Sequence, residues 1–321
     1  MMNINNNNEA GGEVHRPRQR QTALAALLGS GLLLGVTTNL AKVANGIGVT
    51  PLAYLTWSLM GAALLLSITS SYRGQTARVN RRSVEYFVIA GFLSTAGSNL
   101  IFFNVVPHLG VSFVALMFSL PPLLTYAAAL AMKMETFCWW RASGVLLALA
   151  GTTVLVIRQW NTTDADPMWI LVALIGPVLL AAGNIYRSHR WPPAASAESL
   201  APGMLTGAFA ILVLTALVFD LSLSVSDENA YAKPLIAVQS IVFAGQFLLL
   251  FVLQKSGGPV FLSLMGGVSA VFGVPIAMVL LAEPMLPAFL PSATLIAAGI
   301  IVMLFGVKVC EQKVIQPESR R

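Results

Sequence analysis

Long apolar runs separated by short polar connections make up most of the chain. A helix that crosses a bilayer needs about 20 mainly apolar residues, because the hydrocarbon core is about 30 Å thick and each residue advances about 1.5 Å. Ten runs meet that requirement: 23–42, 50–69, 84–105, 110–131, 139–157, 167–187, 201–219, 234–253, 259–281 and 288–308. The longest connections, 70–83, 188–200 and 220–233, are too short to fold as soluble domains. The pattern predicts an all-α polytopic membrane protein with ten transmembrane helices.

Composition points the same way. Of 321 residues, 56% are hydrophobic and only 10% are charged, and the mean hydropathy is +0.77. A soluble domain carries about 25% charged residues, so this chain cannot cover a water-facing surface. The polar, Asn-rich segment 1–21 is expected to be a disordered tail, and 311–321 a second one. The first is not read as a cleavable signal peptide, since the apolar run behind it is too long and lacks a small-residue cleavage site.

Charge sets the orientation. The 19 Lys and Arg residues outnumber 13 Asp and Glu, giving +6. They are scattered between the apolar runs, a pattern of membrane orientation rather than of nucleic-acid binding. With the N-terminus inside, sixteen of the 19 fall in cytoplasmic segments, and only Lys42, Arg158 and Lys233 fall outside. Both termini are therefore expected in the cytoplasm, with the protein in the cell (inner or plasma) membrane as a monomer or homodimer.

The chain also matches itself. An offset of 148 places Gly110 on Gly258, Phe113 on Phe261, Met117 on Met265, Glu135 on Glu283 and Gly151 on Gly299. An offset of 147 places Asn99 on Gln246, and one of 145 places Asn39 on Asn184 and Lys42 on Arg187. Two five-helix repeats follow, 22–158 and 159–310. Five is odd, so the second repeat enters the membrane in the opposite sense to the first. Inverted repeats support alternating access, because two similar halves can exchange inward- and outward-open packings.

These residues resemble a known family. Leu116 to Thr136, with Pro121-Pro122 and Met134-Glu135-Thr136, is similar to the fourth helix and following turn of EamA-type members of the drug/metabolite transporter superfamily. Leu281-Ala282-Glu283-Pro284 resembles the same turn in the second half, Gly144 to Gly151 the small-residue helix that follows the first, and Gly35 to Lys42 the family's first helix. The first turn departs from the family pattern at Lys133-Met134, and Trp57-Ser58 stands where many members carry an Arg. The resemblance implies a ten-helix transporter with a central cavity that moves metabolites or amino acids, often outward.

Polar residues inside apolar spans are the best pointers to a solute site, because a side-chain amide in hydrocarbon must find partners. Asn39, Asn99, Asn184 and Gln246 are such residues, and an interhelical hydrogen bond is the alternative role for each. Lys42, one turn beyond Asn39, either offers a solute carboxylate its charge or snorkels to the headgroups. Arg187 is expected to be an ordinary basic flank of the sixth span. Glu135 and Glu283 are expected to cap or pin the helix ends after their turns. Pro121, Pro122, Gly266, Gly267 and Pro275 are candidate hinges in the fourth and ninth spans, and Pro177 should interrupt the sixth. Tyr54 and Trp57 read as lipid-facing or packing residues.

No span holds a central carboxylate, which argues for a facilitator and against a pump for cationic drugs. His15, His108 and His189 lie in tails or loops, and no catalytic or phosphate-loop motif occurs, so no enzyme activity, cofactor or metal is expected. The cysteines, Cys138 and Cys310, suggest neither a metal site nor a disulfide. The reading is an outward-working carrier for a small neutral or zwitterionic solute such as an amino acid. The alternatives are an organophosphate or nucleotide-sugar exchanger, or a membrane receptor or lipid-handling enzyme.

Overall fold

The computed structural model describes residues 10–75, 79–118, 120–134, 136–162, 167–192, 195–225, 229–283 and 289–315. Among the described residues every regular element is helical. The helices are α1 (Ala10–Gly46), α2 (Pro51–Tyr72), α3 (Arg81–Gly91), a π-helical turn (Phe92–Ala96) leading into α4 (Gly97–Leu109), α5 (Val111–Met117), α6 (Pro121–Ala131), α7 (Trp139–Thr162), α8 (Pro167–His189), α9 (Ala197–Val218), α10 (Ala232–Ser263), α11 (Met265–Leu280) and α12 (Phe289–Ile315). Six stretches are long and apolar enough to cross a membrane, and the outward faces carry bare aliphatic side chains such as Leu214, Ile241 and Val279. Water would not tolerate that surface and lipid would.

Local chemistry sets the boundaries. Thr50 caps α2 by accepting from the Ala53 N–H, and Pro51 occupies its first position, where a missing N–H costs nothing. Asn80 and Ser83 form a reciprocal cap on α3, and Ser196 and Ser199 repeat it on α9. Helical residues begin at Ala10, well before the expected edge at 23. Extending an existing helix adds one bond per residue without a new nucleation step, so the apolar helix carries polar residues along with it.

The breaks differ in detail from expectation. The fourth span is interrupted between Met117 and Pro121, as its two prolines require. Pro177 does not interrupt α8, which continues to His189; neighbouring helices commonly sustain a proline in a membrane helix. A turn was expected near 254–258, yet helical residues run without a gap to Ser263. A Cβ at Gly29 would lie 2.8 Å from Leu249, and Leu33 lies beside Gly245, so α1 and α10 are antiparallel. Gly31 meets Val268 and Gly35 meets Gly273, so α1 and α11 are parallel. The chain therefore reverses between Leu249 and Met265.

Packing follows a fixed set of neighbours. α1 lies between α10 and α11; α8 lies against α4 and α6; α2 packs on α9 and α10; α3 packs on α9; α7 pairs with α12. In the last pair Gly144 faces Gly299, while Gly151 faces the Ser292 carbonyl. That pairing brings Gly306 beside Arg141, near the start of α7. Cys138 sits at this end and is disulfide-bonded, contrary to the expectation from the wide separation of the cysteines in sequence.

Candidate functional site

A cavity opens where the broken helices meet. The Phe118 carbonyl, at the break between α5 and α6, lies against Gly266, just after the break between α10 and α11. Pro121 and Gly266 both line the cavity, with an apolar wall that includes Leu34, Phe118, Leu180 and Phe247. Its polar groups come from four further elements: Ser94 of the π-helical turn, Asn99 of α4, Asn184 and Arg187 of α8, and Gln246 of α10. About 40 Å³ is open to the centre of a water molecule, room for a few waters at most. A metabolite would need the helices to move apart.

Four of these five polar side chains are held by specific partners, while Ser94 Oγ is buried without one among the described residues. In the π-helical turn the Gly97 N–H bonds to Phe92 O, five residues back, a geometry often found at functional sites. Asn99 donates to Thr95 O at 2.9 Å, leaving its own oxygen free of a protein donor. Gln246 ends a directed chain. Tyr54 OH donates to Gln239 Oε1, Gln239 Nε2 donates to Thr37 Oγ1, and Thr37 Oγ1 donates to Gln246 Oε1, each at 3.1 Å. The oxygen of Gln246 is thereby occupied and its NH₂ is left to the cavity.

Asn184 Nδ2 donates to Thr125 Oγ1 at 3.4 Å, and its Oδ1 accepts from Arg187 Nη2 at 2.8 Å. Arg187 Nε donates to Gln254 Oε1 at 3.0 Å, while Nη1 is buried without a partner. Arg187 is only 1% exposed. A basic flank at a membrane surface would be open to water, so this placement corrects that expectation.

The remaining predicted residues lie elsewhere. Asn39 donates to Gly35 O and to Gly273 O, at 2.8 and 3.0 Å, and ties α1 to α11. Lys42 pairs with Glu283 across 3.5 Å. Glu283 Oε1 accepts from the Ser112 N–H and sits so close to Gly110 that a Cβ there would overlap it, and the φ of +81° at Gly110 disfavours any other residue besides. Glu283 thus holds the start of α5, in the other half of the chain, rather than the helix after its own turn. Pro122 and Gly267 flank the breaks, whereas Pro275 lies within α11, which continues through it without interruption; none of the three lines the cavity. Glu135 lies outside the described residues.

Sequence reasoning missed Arg187, Ser94 and the Tyr54–Gln239–Thr37 chain. The signal for Arg187 was its match to Lys42 at an offset of 145. Tyr54, read as lipid-facing or packing, is 1% exposed and bonds inside the bundle. Trp57 donates its indole N–H to Leu223 O.

Comparison with known proteins gives a family match over the first half of the chain. Residues 21–157, which span α1 to most of α7, match the EamA-like transporter family. A solved crystal structure is similar to 91% of this chain over 99% of its own length, with a TM-score of 0.65 and 17% identity. At that identity the likeness concerns the fold. No curated protein matches the chain.

Proposed function

We propose that this chain, whose residues 21–157 match the EamA-like transporter family, carries a small metabolite across the cell membrane by alternating access. The observation that carries the reading is the narrow amide-lined cavity at the crossing of two broken helices. Phe118 and Gly266, which touch there, are 148 residues apart, the offset at which the chain matches itself.

Ten crossings in two inverted five-helix repeats account for the packing. Exchanging the halves turns the contact of α1 with α11 into that of α8 with α6, and the contact of α10 with α2 into that of α3 and the π-helical turn with α9. The antiparallel facing of Gly144 with Gly299, and of Gly151 with Ser292, is what an in-plane two-fold axis requires. The bond of Asn39 to Gly273 and that of Asn184 to Thr125 join equivalent positions at offsets of 145 and 148. Each half thus ties its first helix to the fourth helix of the other.

In this reading the cavity is the solute site, closed at one end. Lys42, Glu283 and Ser112 join α1, the end of α11 and the start of α5. With both termini cytoplasmic, that end faces outward. Asn99, Asn184 and Gln246 offer one free acceptor and one free donor group, enough to hold a small neutral or zwitterionic solute such as an amino acid. The carrier works outward and needs no resident cofactor.

Untargeted metabolite efflux from cells with and without the protein tests the proposal. The expected result is one or a few small metabolites exported only by cells that hold it, with transport impaired by Asn99→Ala and Gln246→Ala. Equal rate and affinity in both variants would remove these residues from the site. The absence of any metabolite difference would remove the carrier reading.

A further inference from the structure

We propose that Arg187 anchors a carboxylate on the transported solute, so that the cavity selects monoanionic or zwitterionic acids with an apolar remainder. The inference rests on the carrier reading above and deepens it by naming the group the cavity recognises.

The argument begins with an uncompensated charge. Arg187 is 1% exposed, and its guanidinium is held on two of three nitrogens by neutral acceptors: Gln254 on Nε and Asn184 on Nη2. The ion pairs among the described residues are Lys42 with Glu283 and Arg73 with Glu198; neither includes Arg187. Burying a guanidinium without a counter-ion is strongly unfavourable. A purely structural tie between α8 and α10 would be made more cheaply by a neutral side chain. Here the two amides fix the plane of the fork and leave Nη1 without a protein acceptor beside the cavity that Arg187 lines.

The surroundings define the anion. Gln246, its oxygen taken by Thr37, offers a second donor from α10. Arg187 is the one basic residue among those lining the cavity, so a single negative charge is balanced and a dianionic phosphate is not. The rest of the wall is mostly apolar, with Leu34, Phe118, Leu180 and Phe247 suited to an aliphatic or aromatic remainder. Carboxylate and hydrophobic body would therefore be read by different parts of one cavity.

The test uses the full-length protein in detergent at neutral pH, where simple carboxylic acids are ionised. The thermal unfolding midpoint is followed against straight-chain monocarboxylates from propionate to octanoate, against the matching primary amides, and against inorganic phosphate. Carboxylates should raise the midpoint, more so as the chain lengthens, while amides leave it unchanged. In Arg187→Gln the apparent carboxylate affinity should fall roughly tenfold to hundredfold, and Arg187→Lys should keep part of it. Amides as effective as acids, no response to any carboxylate, a response intact in Arg187→Gln, or phosphate outdoing every acid would each overturn the proposal. The acid–amide comparison is made on the unsubstituted chain, so it decides the matter even if a variant does not fold. Flux in proteoliposomes separates the two readings: carboxylate binding without flux removes the carrier and keeps the anchor, whereas equal flux of acids and amides keeps the carrier and removes the anchor.

Discussion

The backbone carbonyl of Phe118 rests on Gly266, so closely that any Cβ at that position would overlap it. A backbone atom cannot swing aside as a flexible side chain can, so the contact demands glycine through proximity alone. Gly266→Ala should force α11 away from the α5–α6 break and lower stability by about 1–3 kcal/mol. Flux should fall further than the amount of folded protein does. Gly46→Ala is the control: nothing lies within 4 Å of a Cβ there, and the change should stay within about 0.5 kcal/mol. Unfolding midpoints and flux per folded molecule, measured for both, check the prediction.

Lys42 and Glu283 are unequal partners. The Glu283 side chain is 5% exposed and that of Lys42 is 33%. Removing the lysine charge strands a buried carboxylate beside Gly110 and Ser112, whereas removing both charges does not. Lys42→Met should therefore destabilise more than the double substitution with Glu283→Gln. A double-mutant cycle should return a coupling of about 1 kcal/mol, because the partly exposed lysine is screened by solvent. Zero coupling would mean that the pair does not hold the closed end.

The amides were legible because polar residues in apolar spans stand out: Asn99, Asn184 and Gln246 come together at one cavity. Asn39 carried the same signal yet faces α11, since the rotation of a helix about its axis is set by its neighbours and not by its own composition. Arg187 was hidden by its address: basic residues are common at span ends, and only packing against α10 shows that its head turns inward. Tyr54 gave no sign either, because an aromatic ring suits lipid and core equally and its hydroxyl partner lies 185 residues away. Apolar length marked ten candidate spans, of which six stand out as long apolar helices, but it placed a turn near 254–258 where helical residues continue to Ser263.

The Tyr54 chain fixes which end of the Gln246 amide faces the cavity. Tyr54→Phe keeps the ring and removes one donor, leaving Gln239 Oε1 buried without it. The loss of one such bond is worth about 0.5–1.5 kcal/mol. With the orientation of Gln246 loosened, the apparent solute affinity should fall roughly threefold to tenfold. Trp57→Phe removes the bond to Leu223 O, outside the cavity lining, and should leave affinity unchanged. The concentration dependence of flux for both variants is the measurement; equal effects would show that the chain does not orient Gln246.

Asn39 and Asn184 are equivalent at an offset of 145, but their surroundings assign them different work. Asn39 spends its amide donor on the Gly35 and Gly273 carbonyls, so Asn39→Ala should cost stability, about 0.6–1.7 kcal/mol for a hydrogen bond between membrane helices, at unchanged solute affinity. Asn184 lines the cavity and holds Arg187 Nη2. Asn184→Ala would free that edge of the guanidinium, and solute affinity should fall by roughly tenfold alongside a comparable stability loss. Midpoints and affinities measured on the same two preparations separate the cases. Equal losses of affinity would place both amides at the solute, and the difference in role drawn from their partners would be mistaken.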